Sequence, residues 1–127
     1  MRSIGFITKN KVLAQSLAIQ IMSDPKLNFK PYLLRDPRQA VLDAEILKID
    51  IAVIEMISGT QPDIDAVLSL CENLRRAVPA CRILLFVARD DSASRRAAMK
   101  AMKRKVIDDF VFYDESLQYL LAKLGAL

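Results

Sequence analysis

Short apolar runs alternate with amphipathic stretches five times along this chain of 127 residues, and that alternation restricts the fold more than any other feature. A strand buried on both faces reads as a near-continuous apolar run and needs helices to cover both sides. The repeat of strand then helix therefore predicts a parallel sheet inside a three-layer α/β/α sandwich. The first strand is expected from Ser3 to Thr8, with Asn10 capping a helix to about Met22 that Asp24-Pro25 breaks. A weaker second strand runs from Lys30 to Leu34, and Asp36-Pro37 opens a helix from about Arg38 to Leu47. Ile49 to Ile57 reads as the third strand, and Ser58-Gly59-Thr60-Gln61-Pro62 as a loop. The helix that follows, near Ile64 to Ala77, gathers Ile64, Val67, Leu68, Cys71 and Leu74 on one face. The remaining elements are a strand from Arg82 to Ala88, a helix from Ser92 to about Lys105, a strand from Ile107 to Tyr113 and a helix from Ser116 to Leu124.

The length suits one domain over residues 1–127, and a composition that is 53% hydrophobic and 27% charged suits a packed globular chain. The net charge of +4 favours acidic partners without requiring nucleic acid. Histidine is absent, which removes the commonest general base, the usual zinc ligand and any phosphohistidine relay. Cys71 and Cys81 lack metal-ligand spacing and fall in different elements, as expected of reduced, structural thiols. Lys9 interrupts the amino-terminal apolar run too early for a signal-peptide core, and no run approaches the roughly 20 residues that cross a bilayer. The expectation is a soluble, cytoplasmic protein.

Right-handed crossovers with a single reversal of strand order bring the carboxyl ends of strands one, three, four and five to one crevice. Thr8, Lys9 and Asn10, then Glu55, then Val87 and Ala88, then Tyr113 and Asp114 occupy those ends. Glu55 closes the run Ile51-Ala52-Val53-Ile54 and is the candidate functional acid, but its neighbours supply no acid cluster.

Three segments carry a resemblance that spans Ser3 to Leu127. Ala88-Arg89-Asp90-Asp91, Asp108-Asp109-Phe110-Val111 and Ile49-Asp50-Ile51-Ala52-Val53-Ile54 resemble, in order and spacing, segments of the receiver domain of bacterial response regulators. The resemblance implies a flavodoxin-like sheet of order 2-1-3-4-5 and a role in two-component phosphorelay signalling. It also implies an aspartate nucleophile, two magnesium-binding acids, a hydroxyl and a lysine, and this chain departs at each place. Glu55 stands for the aspartate, Thr8 and Lys9 for the acids, Val87 for the hydroxyl residue and Tyr113 for the lysine. An extra methylene displaces the carboxylate by about a bond length, which in-line attack tolerates poorly. One carboxylate beside a fixed cation holds magnesium weakly. Asp114 replaces a proline whose preceding peptide is cis in the family. The resemblance thus points to a degenerate member, a pseudo-receiver that works without phosphate, metal or cofactor, is not an enzyme, and acts as an interaction or dimerisation module. Lys9 has two arrangements open to it, one pairing its ammonium with Glu55 and the other pointing to solvent.

The fourth helix carries Arg95, Arg96, Lys100, Lys103, Arg104 and Lys105 with no acid between them. At about 100° per residue, Arg96, Lys100, Lys103 and Arg104 share one side, opposite Ala98, Ala101 and Met102. The fourth helix, fifth strand and fifth helix form the family's docking surface, so these four cations with Phe110 and Tyr119 are the candidate contacts for an acidic protein or a second copy. A solvated face is the competing explanation, because bases late in a helix suit its dipole, as do Asp90 and Asp91 at its start. Nucleic-acid binding through the basic helix is the alternative function, although no helix-turn-helix pair is visible. Met99 and Met102 are expected to fill core or groove, Arg75 and Arg76 to form a solvated helix end, and Phe110 to pack as an ordinary aromatic.

Overall fold

A computed structural model describes residues 1–60 and 62–127; Gln61, read above as part of a loop, lies outside the described residues. Five strands form one parallel sheet: β1 (Arg2–Ile7), β2 (Phe29–Leu33), β3 (Ile51–Glu55), β4 (Arg82–Val87) and β5 (Asp109–Phe112). Their order is β2-β1-β3-β4-β5, as expected. The helices are α1 (Lys11–Ser23), α2 (Ala40–Leu47), α3 (Ile64–Ala77), α4 (Ser92–Lys103) and α5 (Leu117–Ala126).

The alternation of side chains along each strand assigns the helices to layers. Ile4 and Phe6, Ile51 and Val53, Leu84 and Phe86 point to one face, where they meet Ala14, Leu17 and Ile21 of α1 and Leu120 and Leu124 of α5. Ile7, Ala52, Ile54, Ile83, Leu85 and Val87 point to the other, where α2, α3 and α4 close the core with Ala44, Val67, Leu74, Ala98 and Ala101. Leu74 is fully buried there, and its truncation to alanine should cost about 2–5 kcal/mol. Gly5 lies in close packing, since a Cβ would stand 3.0 Å from Leu34 Cδ1 and 3.3 Å from Ile49 Cγ2 and would push these side chains aside.

Caps set the helix starts. The side chains of Asn10, Asp63, Asp91 and Ser116 each accept from a backbone N–H in the first turn of α1, α3, α4 and α5. Asp36 and Pro37 also start a helix, but its first turn, Pro37–Gln39, is 3-10 and the α-helix begins only at Ala40. The third and fifth strands are shorter than their apolar runs, because Ile49, Met56 and Ile107 are buried in the flanking connections rather than in the ladder.

Two expectations about side chains fail. Met99 and Met102 are 50% and 37% exposed and do not fill the core. The seam of α4 against the sheet consists of Ser94, Ala98 and Ala101, and each methionine follows a seam alanine and so turns away by about 100°. Arg75 is not a solvated helix end. Helix α3 runs antiparallel to the strands, so its last turn arrives at the sheet's amino edge, where Arg75 Nη2 lies 2.8 Å from Asp108 Oδ2 and Nε donates to Val106 O at 3.2 Å. Arg76 stays outside, donating to Asn73. Both cysteines are free and buried, and burial raises their thiols to about 12 for Cys71 and about 11 for Cys81, which suits inert core residues. Among the described residues, no helix is long and apolar enough to cross a membrane.

Candidate functional site

Glu55 is the last residue of β3 and lies half-buried at the carboxyl edge of the sheet. Its Oε1 accepts a hydrogen bond from Thr8 Oγ1 at 2.8 Å, and its Oε2 accepts one from the Tyr113 hydroxyl. The Thr8 oxygen in turn accepts from the Asn10 N–H at 2.9 Å, and Asn10 Oδ1 accepts from Leu13 N at 3.0 Å as the cap of α1. The acid is therefore fastened to the first turn of α1 through one hydroxyl and to the end of β5 through another.

Strand pairing explains why Tyr113 reaches it. Glu55 is in register with Phe86 on β4, and the Tyr113 N–H donates to Val87 O at 3.3 Å. The Tyr113 ring stacks on Phe86 with centroids 5.5 Å apart and planes at 22°, which carries the hydroxyl across β4 to Glu55. Burial raises the Tyr113 phenol above its ordinary value, and the hydrogen bond to Glu55 and its charge raise it further, so the group is a neutral donor.

Three of the five residues singled out at the reactive positions, Thr8, Glu55 and Tyr113, thus form one hydrogen-bonded unit. Val87 lies fully buried beneath it, in the cluster that packs on α2, α3 and α4. Lys9 is exposed on the rim and lines, with Thr8 and Glu55, a cavity of about 240 Å³. Asp114 turns outward to Arg89, whose Nε lies 2.9 Å away and whose guanidinium covers the Phe112 ring at 4.2 Å.

A second arrangement escaped sequence reading. Asp91 caps α4 and also accepts from Ser58 N at 2.9 Å and Ser58 Oγ at 2.7 Å, while Ser94 Oγ donates to it at 2.8 Å. Burial would raise this carboxyl, but the donors of Ser58 and Ser94 outweigh it and hold the group at about 2. The loop after β3 is thereby clamped to the start of α4. Asp91, a cap-type residue directly before the helical stretch of α4, is the local signal for the cap. Nothing local signalled Ser58.

On the outer side of α4, Arg96, Lys100, Lys103 and Arg104 are all exposed, and Arg104 Nη2 lies 4.0 Å from Glu72 Oε1. Phe110 is half-buried, edge-on to Phe112 at 5.7 Å and packed against the core. Tyr119 is 42% exposed, with Lys123 Nζ 5.5 Å from its ring centroid.

No protein-family model and no curated protein sequence matches this chain. Solved structures do. A two-component response regulator from Clostridium difficile superposes with a TM-score of 0.77 at 21% identity, over 99% of this chain and 94% of that one. A CheY-like protein, tadZ, from Pseudomonas aeruginosa PAO1 gives 0.72 at 15% identity, over 100% and 95%. The inactive form of the regulatory domain of the repressor of iron transport regulator gives 0.75 at 18%, over 99% and 94%. The chain has the receiver-domain fold. In that fold the carboxyl edge bearing Glu55 is the ligand-facing edge of the sheet, and identities this low carry the likeness no further than architecture.

Proposed function

We propose that this protein is a pseudo-receiver, a receiver-like module that neither accepts phosphate nor binds magnesium and acts by docking a partner. The observation that carries the reading is the state of Glu55, whose two oxygens each accept a hydroxyl hydrogen bond at the place where the resemblance implies a reactive aspartate. In-line transfer tolerates little displacement of the attacking oxygen, and here an extra methylene shifts the carboxylate while the two hydroxyls fix it in that place. The residues present do not fit a divalent cation either. Magnesium wants near-octahedral oxygen ligation, and this rim offers one carboxylate that already accepts from two hydroxyls. Among the described residues, no group of three or more His, Cys, Asp or Glu comes together.

The docking surface of this reading is the exposed basic side of α4, Arg96, Lys100, Lys103 and Arg104, with Phe110 and Tyr119, and the partner is an acidic protein surface. The same exposed cations favour one other reading, contact with nucleic-acid phosphates. Incubation with acetyl phosphate and magnesium, followed by intact-mass measurement, should leave the mass unchanged; a stable phosphoryl adduct overturns the reading. Titration with random duplex DNA across a salt series separates the two docking partners. Absence of binding at every salt concentration supports a protein partner, whereas a steep fall of affinity with salt supports phosphate contact.

A further inference from the structure

A helix at the surface of a soluble domain ordinarily meets water with charge. Helices α3 and α4 do so, with Asp65 and Arg76 exposed on one and Arg96, Lys100 and Lys103 on the other. Helix α1 does not. Among its thirteen residues only Lys11 is charged, and its outward side carries Val12, Ile19 and Met22, of which the least exposed, Ile19, is 62% exposed. With Gln15 they stand at positions 12, 15, 19 and 22, the alternation of three and four that draws one straight stripe along a helix. Ala14, Leu17 and Ile21 pack on the sheet from the other side. The stripe leans toward β2: Met22 shares an open groove of about 480 Å³ with Met1, Pro25, Phe29 and Pro31, and Lys11 lines another with Leu33 and Arg35.

We propose that this side of α1 docks a second copy of the chain, the two α1 helices packing antiparallel across a twofold axis level with Leu17. A twofold interface must complement itself, because the same patch is presented by both copies. An apolar stripe does so. The antiparallel register sets Val12 of one copy against Met22 of the other and Gln15 against Ile19. Close to the axis the two Gln15 amides, each both donor and acceptor, can bond to one another. The charges at the ends of the stripe complement as well. Lys11 at the start of one α1 comes to Asp24, the residue that closes the other, whereas parallel packing would set Lys11 against Lys11.

Two other surfaces fail the requirement of self-complementarity. Across a twofold axis the basic side of α4 would meet its own cations, Arg96, Lys100, Lys103 and Arg104, a repulsion that an acidic partner avoids. The free edge of β2 carries Pro31 at its centre, and the missing N–H disfavours pairing of strand with strand. Size sets the strength of the α1 contact. Two helices each about 20 Å long, even with the groove beside Met22, make an interface of the weak class below about 1,200 Å². The dissociation constant should be on the order of 100 μM. This surface lies apart from Glu55 and from α4, so it holds or fails independently of the pseudo-receiver reading.

Sedimentation equilibrium of the whole chain from about 10 μM to about 1 mM, a range that brackets such a constant, should show the mass rising from one chain toward two. Ile19→Glu sets like charges beside the axis and should weaken dimerisation at least about tenfold, with little change in thermal stability because the position is exposed. Leu42→Glu, at an exposed apolar residue of α2, should leave dimerisation as it is. Disulfide trapping reads the direction, and the native Cys71 and Cys81 are buried away from it. Val12→Cys and Met22→Cys in one chain should give a covalent dimer under mild oxidation. Val12→Cys alone should not, since antiparallel packing keeps the two copies of that position about 15 Å apart along the helices. The mass of a single chain at every concentration overturns the proposal, as does a dimer that survives Ile19→Glu or one that Val12→Cys alone traps.

Discussion

Two carboxylates at opposite edges of one sheet show how differently the fold uses the same chemical group. Asp108, at the amino edge, lies 2.8 Å from Arg75 and 3.2 Å from Arg82, and accepts from the Ile83 N–H at 2.7 Å. Burial would raise its carboxyl, but the Ile83 amide and the two guanidiniums outweigh that and lower it. Glu55, at the carboxyl edge, has hydroxyl donors and a cavity beside it. The first acid ties α3, β4 and the entry to β5 together. The second holds its place through neutral donors and keeps acceptor capacity. In open α/β sheets the carboxyl edge is where ligands bind, and the amino edge is free to be purely structural.

The largest effect should come from the structural edge. Asp108→Ala strands Arg75, only 26% exposed, without its carboxylate, and should lower stability in urea unfolding by about 3 kcal/mol. Glu55→Gln retains the shape and one acceptor oxygen, and should cost about 1 kcal/mol. Equal losses would erase the difference between the edges.

Alkaline pH sharpens the comparison next. The Tyr113 phenol is raised in the folded protein above its ordinary value of 10.0, so the fold keeps a proton that the unfolded chain releases. Its stabilisation is complete below about pH 10 and is lost as pH rises beyond it. Tyr113→Phe should flatten that decline in a thermal-unfolding series, costing about 1 kcal/mol at neutral pH. Acid tests the clamp of Asp91 on Ser58, which lies at the carboxyl edge with Glu55. Asp91 has an ordinary value of 3.8 and is held at about 2 when folded, so its contribution is present above about pH 4 and disappears as pH falls toward 2. Asp91→Asn should shorten that acid decline.

The smallest effect should fall on α4. Arg96→Gln, Lys100→Gln and Lys103→Gln together should change stability by no more than about 0.5 kcal/mol, as for other exposed substitutions. A large loss would show that the basic side holds the fold rather than facing a partner.

The layers and the place of Glu55 at a strand end were legible because they depend on periodicities of 2 and 3.6 and on the handedness of crossovers, all local or generic, whereas the strand order came from the family resemblance. Met99 and Met102 were misplaced because hydrophobicity alone put them inward, whereas the small seam of Ser94, Ala98 and Ala101 sets the rotation of α4. Arg75 was misjudged because its partner is Asp108, 33 residues away across the amino edge. The cavity was illegible for the same reason: Ile7, Ile54 and Leu70 come from three elements that share no sequence pattern. Thr8 and Tyr113 were visible as departures from a resembled pattern, yet their joint engagement of Glu55 is a fact of three dimensions.

The most direct test of the dismantled reactive edge is an amide-resonance titration with beryllofluoride and magnesium, a phosphoryl mimic and the metal that seats it. Glu55, Val87 and Tyr113 should show no saturable shift. Saturable, magnesium-dependent shifts centred on Glu55 would contradict the account.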